Sequence, residues 1–176
     1  NHFLKTLYSL EEDLNMWEIF ITDERITTDK KEQNKYNLLE KLKKIKNFNL
    51  DKFNPFDQSE NKDISYSRIV NKLEHENILF LDVCILSLGE DGHLAGHFKN
   101  SIDSLDNRFC YTNNSLMGPS KRISFNVEWL KKSSKVILAV IGANKSGALR
   151  DLVNGDGLHS GICNIDNLML ITDIDI

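Results

Sequence analysis

Residues 80–88 form a nearly continuous apolar run (FLDVCILSL) that leads directly into the polar turn at residues 89–93 (GEDGH). A run of this length is typical of a central strand in a parallel sheet, which is covered on both faces. In parallel sheets, ligands bind beyond the carboxyl ends of the strands. The turn at 89–93 is therefore expected to lie at a ligand site.

The rest of the chain alternates strand-like and helix-like segments. Predicted strands, which are short apolar or alternating runs, lie at residues 17–22, 121–127, 135–141 and 168–172. The second of these alternates polar and apolar residues, as an edge or half-buried strand does. Predicted amphipathic helices lie at residues 31–45, 64–73 and 145–153. This order predicts an α/β fold, Rossmann-like, with a mostly parallel sheet and helices on both faces.

Length and charge indicate one folded domain and argue against several classes of binding protein. The 176 residues fit a single domain, and the net charge of -4 argues against a general binder of nucleic acid or anionic membranes. The apolar runs are too short to span a bilayer. Three cysteines, without CxxC spacing, are read as reduced thiols of a cytosolic protein.

The turn at 89–93 combines groups that can hydrolyse an ester. Gly89 and Gly92 allow positive φ and could expose amide N–H groups to a developing oxyanion. Asp91 can orient His93, and a neutral histidine can take a proton from water. Such a turn also has a purely structural interpretation, in which Asp91 caps the turn and His93 is a solvated residue at a helix N-terminus.

A metal site is the weaker interpretation of the same segment. His93 and His97 are four residues apart and could share one helical face. The glutamate of the HExxH motif is absent, and no third ligand is evident. No metal is therefore expected, and His97 has no predicted role.

Several motifs occur in one order along the chain. They are residues 22–25 (TDER), 89–93 (GEDGH), 119–123 (PSKRI) and 142–145 (GANK), with Asn34 following the first. Together they resemble the signature motifs of the 6-phosphogluconolactonase family and cover nearly the whole chain. The resemblance implies an α/β lactonase domain over residues 1–176. It also implies a phosphorylated sugar lactone as the substrate.

The resemblance also implies roles for individual residues. His93 would be the general base, with Asp91 beside it and Asp23 as a further polar contact. The substrate phosphate would be held by Arg25, Lys145 and Arg122, and the substrate or its loop by Asn34, Gly89 and Gly92. Clustered cations suit an acidic protein that binds a phosphate. Each cation alone is more typical of a solvated surface, and its position at the end of a strand favours the phosphate role.

The chain departs from the family pattern in two places. After His93 the family commonly continues Thr-Ala-Ser-Leu-Phe-Pro, whereas residues 94–99 read LAGHFK. The family's first strand and its glycine-rich phosphate loop are expected before Tyr8 and are not found, although residues 3–10 are predicted as the helix that follows them. No cofactor is expected, because a lactone carbonyl requires only a base and oxyanion donors.

Three other assignments stay open. A glucosamine-6-phosphate deaminase or isomerase has a related fold and a similar Gly-x-Asp-Gly-His loop. A non-catalytic sugar-phosphate sensor would fit the missing phosphate loop. Some lactonases are fused to glucose-6-phosphate dehydrogenase, so the resemblance allows a fusion to that enzyme or action beside it.

Overall fold

The computed structural model of the protein describes residues 14–59, 61–99, 102–113, 115 and 118–175. The strands are β1 (Ile19–Phe20), β2 (Asp23–Arg25), β3 (Phe53–Asn54), β4 (Val83–Ser87), β5 (Ile102–Ser104), β6 (Phe109–Thr112), β7 (Arg122–Phe125), β8 (Lys135–Val140) and β9 (Leu168–Thr172). The α-helices are α1 (Asn34–Leu42), α2 (Lys62–His75), α3 (Val127–Leu130) and α4 (Ser146–Asn154). Short 3-10 turns lie at Leu14–Met16, Leu50–Lys52, Ala143–Lys145 and Ser160–Asn164. The helix predicted at residues 3–10 lies outside the described residues.

The predicted parallel sheet is present. Strands β4, β8 and β9 pair in parallel in that order, with Ser87 opposite Ala139, and β1 pairs in parallel with β3. Helix α4 connects β8 to β9. The α/β class is therefore confirmed, and the residues that follow β4 and β8 leave the sheet at the same edge.

One face of this parallel sheet is buried and the other is not. Cys84 and Leu86 of β4 are buried, whereas Val83 and Ile85 on the opposite face are 53% and 38% exposed. The expectation that β4 is covered on both faces is therefore not met by the part of the chain that the structure describes.

A second sheet was not predicted. Strands β2, β7, β6 and β5 form a four-stranded antiparallel sheet in that order. Its centre packs on an aromatic cluster in which Phe109 and Phe125 lie 4.9 Å apart and Phe125 and Trp129 lie 5.0 Å apart. Because this cluster holds β6 and β7, it also fixes the strand that carries Arg122.

Two predicted strands differ from those observed. Residues 17–22 were expected to form one buried strand that ends before the charged triplet. In fact only Ile19–Phe20 is a strand, Trp17 is 44% exposed, and the charged triplet forms β2 itself. The strand predicted at residues 121–127 as an edge or half-buried strand is central, and its four residues are buried.

No helix in the described ranges is long and apolar enough to cross a membrane.

Candidate active site

The turn that follows β4 is closed by its own backbone. The Gly89 N–H donates to the His93 carbonyl at 2.9 Å, and the Gly92 N–H donates to the Gly89 carbonyl at 3.1 Å. Leu88 and Leu94 then pair as an antiparallel bridge, so no helix begins at His93. Both glycine N–H groups are used inside the turn. The expectation that they face a developing oxyanion is therefore not met in this structure.

The two glycines are needed for different reasons. Gly92 has φ of +83°, a conformation that residues with a Cβ rarely adopt. Gly89 lies directly under the His93 ring, and a Cβ at Gly89 would stand 2.1 Å from His93 Nδ1. Any larger residue at position 89 would displace the imidazole.

Asp91 holds the imidazole of His93. Asp91 Oδ1 makes a short hydrogen bond with His93 Nδ1 and also accepts from the His93 backbone N–H at 3.3 Å. Burial raises the pKa of Asp91, but the hydrogen bonds and charge of His93 outweigh it, so the pKa lies below its ordinary value. Asp91 therefore stays ionised, and His93 Nε2 is left as the nitrogen that can accept a proton.

Phe98 links His93 to the antiparallel sheet. Its buried ring stacks on the His93 ring with 4.1 Å between centroids, and the Arg122 guanidinium carbon lies 5.1 Å from the Phe98 centroid. A stacked ring on one side and Asp91 on the other restrict the rotation of the imidazole. The sequence interpretation did not include Phe98.

Asp23 and Arg122 form a buried ion pair across β2 and β7. Arg122 Nη1 lies 3.3 Å from Asp23 Oδ2, and the two side chains are 4% and 16% exposed. Burial raises the pKa of Asp23, and the charges of Arg122 and Arg25 oppose this effect. The charge of His93 also acts on Asp23, and that of Asp91 acts on Arg122. These two pairs therefore lie within electrostatic reach of each other.

Arg25 lies opposite Arg122 in the β2–β7 register. Its Nη1 donates to the Glu32 carbonyl at 3.4 Å, and its Nε is buried without a hydrogen-bond partner among the residues described. Arg122 is paired with Asp23, whereas the Nε–H group of Arg25 is accepted by no described residue and can bind a ligand.

Glu24, which lies between Asp23 and Arg25, is fully buried and was not predicted as a site residue. Its carboxylate accepts the backbone N–H groups of Arg25 at 2.7 Å, Asn34 at 2.7 Å and Lys35 at 2.8 Å. Burial raises the pKa of Glu24, and the three N–H groups oppose this effect. Glu24 therefore ties β2 to the first turn of α1.

Asn34 supports the same connection. Its side-chain amide donates to the Asp23 carbonyl at 3.0 Å. A pocket of about 250 Å³ borders this contact and is lined by Ile21, Thr22, Asp23, Asn34, Asn37, Leu38 and Lys41. The structure thus gives the predicted substrate residue Asn34 a structural contact at the edge of a pocket.

Lys145 approaches the turn from the parallel sheet. Its Nζ lies 3.0 Å from Ser87 Oγ at the end of β4, and the neighbouring Asn144 amide donates to the Glu90 carboxylate. The predicted residues outside the turn at 89–93 therefore come from both sheets. Asp23, Arg25 and Arg122 belong to the antiparallel sheet, and Lys145 belongs to the parallel one.

His97, for which the sequence predicted no role, is a buried core residue. It is 7% exposed, its Nε2 accepts the Val127 N–H at 3.4 Å, and its ring packs edge-on against His159. Burial, with a smaller effect from His159, lowers the pKa of His97 to about 4. Within the described part of the chain, no group of three or more His, Cys, Asp or Glu side chains could hold a metal ion.

Comparison with known proteins gives a consistent result. The profile of the family described as glucosamine-6-phosphate isomerases/6-phosphogluconolactonase matches residues 2–161. A 6-phosphogluconolactonase of Borreliella burgdorferi is 32% identical over 98% of this chain and 77% of that protein. A probable 6-phosphogluconolactonase of Oryza sativa is 26% identical over 85% of this chain, which spans 60% of the rice protein. The structure of a Thermotoga maritima 6-phosphogluconolactonase superposes with a TM-score of 0.82 at 19% identity, covering 96% of this chain and 78% of that one.

Proposed function

Because this chain belongs to the family of glucosamine-6-phosphate isomerases and 6-phosphogluconolactonases, we propose that it hydrolyses 6-phospho-D-glucono-1,5-lactone to 6-phosphogluconate. This is a step of the oxidative pentose phosphate pathway. The observation that carries the proposal is the Asp91–His93 pair, held above Gly89 in a closed turn. A carboxylate behind an imidazole whose other nitrogen is available is the arrangement of a general base.

In the proposed mechanism, His93 Nε2 takes a proton from a water molecule as the oxygen of that water adds to the lactone carbonyl carbon. The bond between that carbon and the ring oxygen then breaks. The proton on His93 passes to the ring oxygen, which becomes the 5-hydroxyl group, and the new carboxylic acid loses its own proton to solvent. Asp91 stays ionised throughout and stabilises the imidazolium that forms between the two steps.

Arg25 and Lys145 are proposed to hold the substrate phosphate. Arg25 Nε, which has no hydrogen-bond partner among the described residues, and the Lys145 ammonium supply donors from the two sheets. Asp23 and Arg122 neutralise each other, which supports a role for this pair in shaping the site rather than in carrying the phosphate charge. When Arg25 and Lys145 hold the phosphate away from His93, the lactone ring of the same substrate molecule can lie against the base.

The test is the replacement His93→Asn, which keeps a polar side chain but removes the base. Lactone hydrolysis above the spontaneous rate should fall by about 10²- to 10⁴-fold in kcat, while 6-phosphogluconate should still bind. Activity of the parent should also fall in acid, because a protonated imidazole cannot accept a proton from water. His75→Asn, at an exposed histidine on α2, is the matched control and should leave the rate unchanged. Hydrolysis by the His93→Asn protein at the parental rate would refute the mechanism.

Two further expectations belong to the same proposal. A cytosolic location and a physical link to glucose-6-phosphate dehydrogenase stay predictions of the resemblance.

The same assay tests the alternative enzyme. If the parent protein released ammonia from glucosamine 6-phosphate and left the lactone at its spontaneous rate of hydrolysis, the deaminase assignment would replace the lactonase assignment.

A further inference from the structure

Two side-chain hydrogen bonds join residues 142–145, called here the lysine turn, to the end of β4 and to the turn at 89–93 that follows it, called here the histidine turn. Ser87 Oγ and Lys145 Nζ are 3.0 Å apart, and Glu90 accepts from the Asn144 amide. The partners in each pair are more than fifty residues apart in sequence, at separations of 58 and 54. The histidine turn and the lysine turn are thus linked directly, side chain to side chain.

The lysine turn is fixed on its other side as well. The Gly142 N–H donates to Asp173 Oδ1, just beyond β9, at 2.8 Å. Gly142 has φ of +105°, and a Cβ there would stand 2.7 Å from Asn144 Oδ1. The Asn144 side chain therefore packs closely over Gly142, and its amide is held toward Glu90.

The exposure of the Glu90–Asn144 pair argues that stability alone does not explain it. Both partners lie at the surface, where a hydrogen bond contributes little to the free energy of folding because water competes for each group. Glu90 is adjacent to Asp91, which orients His93, and Asn144 is adjacent to Lys145. The bond thus connects the neighbour of Asp91, which orients the proposed base, to the neighbour of a proposed phosphate ligand.

We infer that Glu90 and Asn144 are positioning residues, whose hydrogen bond fixes the distance between Lys145 and His93. This inference rests on the proposed function of both turns. A substrate phosphate held by Lys145 then places the lactone carbonyl at the base, so that binding energy from the phosphate is used to raise turnover. An unphosphorylated lactone makes no phosphate contact and cannot benefit from this link.

The experiment compares two substrates in three variants: Glu90→Ala, Asn144→Ala and the double variant. With 6-phosphogluconolactone, each single variant should lose about 10- to 100-fold in kcat, since a shift of about 1 Å between a bound substrate and a base has effects of that size. The double variant should be no worse than either single variant, because all three remove the same bond. With unphosphorylated glucono-1,5-lactone, all three should match the parent. Asn154→Ala, at an exposed asparagine at the far end of α4, is the matched control and should behave as the parent with both substrates.

The outcomes separate this inference from the proposed function. Equal losses on both lactones would mean that the bond only maintains the histidine turn, and parental rates on both would mean that it has no role; either result overturns the inference and leaves the lactonase assignment in place. Absence of lactonase activity in the parent itself would remove the proposed function and this inference together. Thermal unfolding of each variant, expected to match that of the parent, shows that any loss of rate is not a loss of fold.

Discussion

Arg25 carries a buried hydrogen-bond donor that an anionic ligand can bind. Its Nε is buried without a partner among the described residues, and a buried donor without a partner costs about 1–3 kcal/mol. Arg122 stands opposite it in the sheet, so the two like charges also repel. An anion bound at Arg25 would satisfy the donor and offset the repulsion.

Replacing Arg25 should therefore weaken substrate binding more than it slows the chemistry. Arg25→Ala should raise KM by about 10- to 100-fold with a smaller change in kcat, because the contact of Arg25 with the phosphate is equally strong in the ground state and the transition state, and because the Glu90–Asn144 bond that positions Lys145 stays intact. Arg25→Lys should recover only part of the loss, since an ammonium cannot make the forked contact of a guanidinium. Steady-state kinetics on both variants check this.

Arg150→Ala removes an exposed guanidinium from α4 and serves as the control for net charge. Its KM should match that of the parent. If Arg25→Ala bound the phosphorylated substrate as well as Arg150→Ala does, the phosphate would have to be held elsewhere.

Sequence reasoning singled out the residues that are proposed to carry chemistry but not those that hold them in place. The two turns, His93 and Arg25 stand out because they belong to motifs that occur together in the order of the family. Phe98 and Glu24 do not stand out, because the sequence does not show which residues they contact in the folded protein. Phe98 stacks on His93, and Glu24 accepts N–H groups from the first turn of α1. A phenylalanine and a glutamate in such positions look like ordinary core and surface residues until the His93 stack and the α1 contacts are known.

At the scale of elements, α1 depends on one side chain from outside the helix. Its N-cap residue Gln33 makes no side-chain capping hydrogen bond, and its first turn contains no acidic residue. The Glu24 carboxylate, from β2, accepts two N–H groups of that turn and supplies the negative charge that a helix N-terminus favours. The same contact holds β2, and with it Asp23 and Arg25, against the helix.

Glu24→Gln should therefore destabilise the protein by about 1–3 kcal/mol, measured as the free energy of unfolding in urea. An amide keeps only one acceptor oxygen, so its NH₂ group would face the N–H of a residue that the carboxylate now binds. Glu40→Gln, at an exposed glutamate on the same helix, removes the same charge and should leave the free energy of unfolding nearly unchanged. Equal effects of the two substitutions would show that Glu24 contributes no more than a surface charge does.

The elements that sequence reasoning found are those whose pattern is set locally. Apolar runs and helical spacing located β4, β8, β9 and the cores of α1, α2 and α4 within a few residues. Strands β5 and β6 were missed because they are short, and the residues of β6 are all buried, so no alternation marks them. In β7 the alternation misled: Arg122 and Ser124 face the site rather than solvent, and their polar groups are satisfied there.

At the scale of the whole molecule, residues 94–98 join the two sheets. The Gly96 N–H donates to Ser124 Oγ at 3.1 Å, and its carbonyl accepts from Thr112 Oγ1 at 2.6 Å. A Cβ at Gly96 would stand 2.7 Å from that of Ser124, so a larger residue at position 96 would push the two segments apart. This contact holds the histidine turn, from the parallel sheet, against the Asp23–Arg122 pair of the antiparallel one.

His97 makes this junction sensitive to acid. Burial lowers its pKa from the ordinary value of 6.5 to about 4, and its Nε2 can accept the Val127 N–H only while it is unprotonated. Below pH 6.5, His97 therefore binds a proton in the unfolded chain, whereas in the folded protein it binds that proton only near pH 4. The stability that His97 contributes is present above pH 6.5 and is lost between these two values, in total by about 3 kcal/mol.

We expect His97→Gln, which can accept the same N–H but does not titrate, to reduce this loss. Urea unfolding at a series of pH values from 7 to 4 should show a shallower fall in the free energy of unfolding for the variant than for the parent. The titratable groups that act on His97, which are His159 and the exposed Glu128, are present in both proteins. His75→Gln, at an exposed histidine, should keep the parental slope. Parallel curves for the parent and His97→Gln would mean that His97 takes up its proton in the folded protein as readily as in the unfolded chain, and that the junction between the sheets is not the acid-sensitive point.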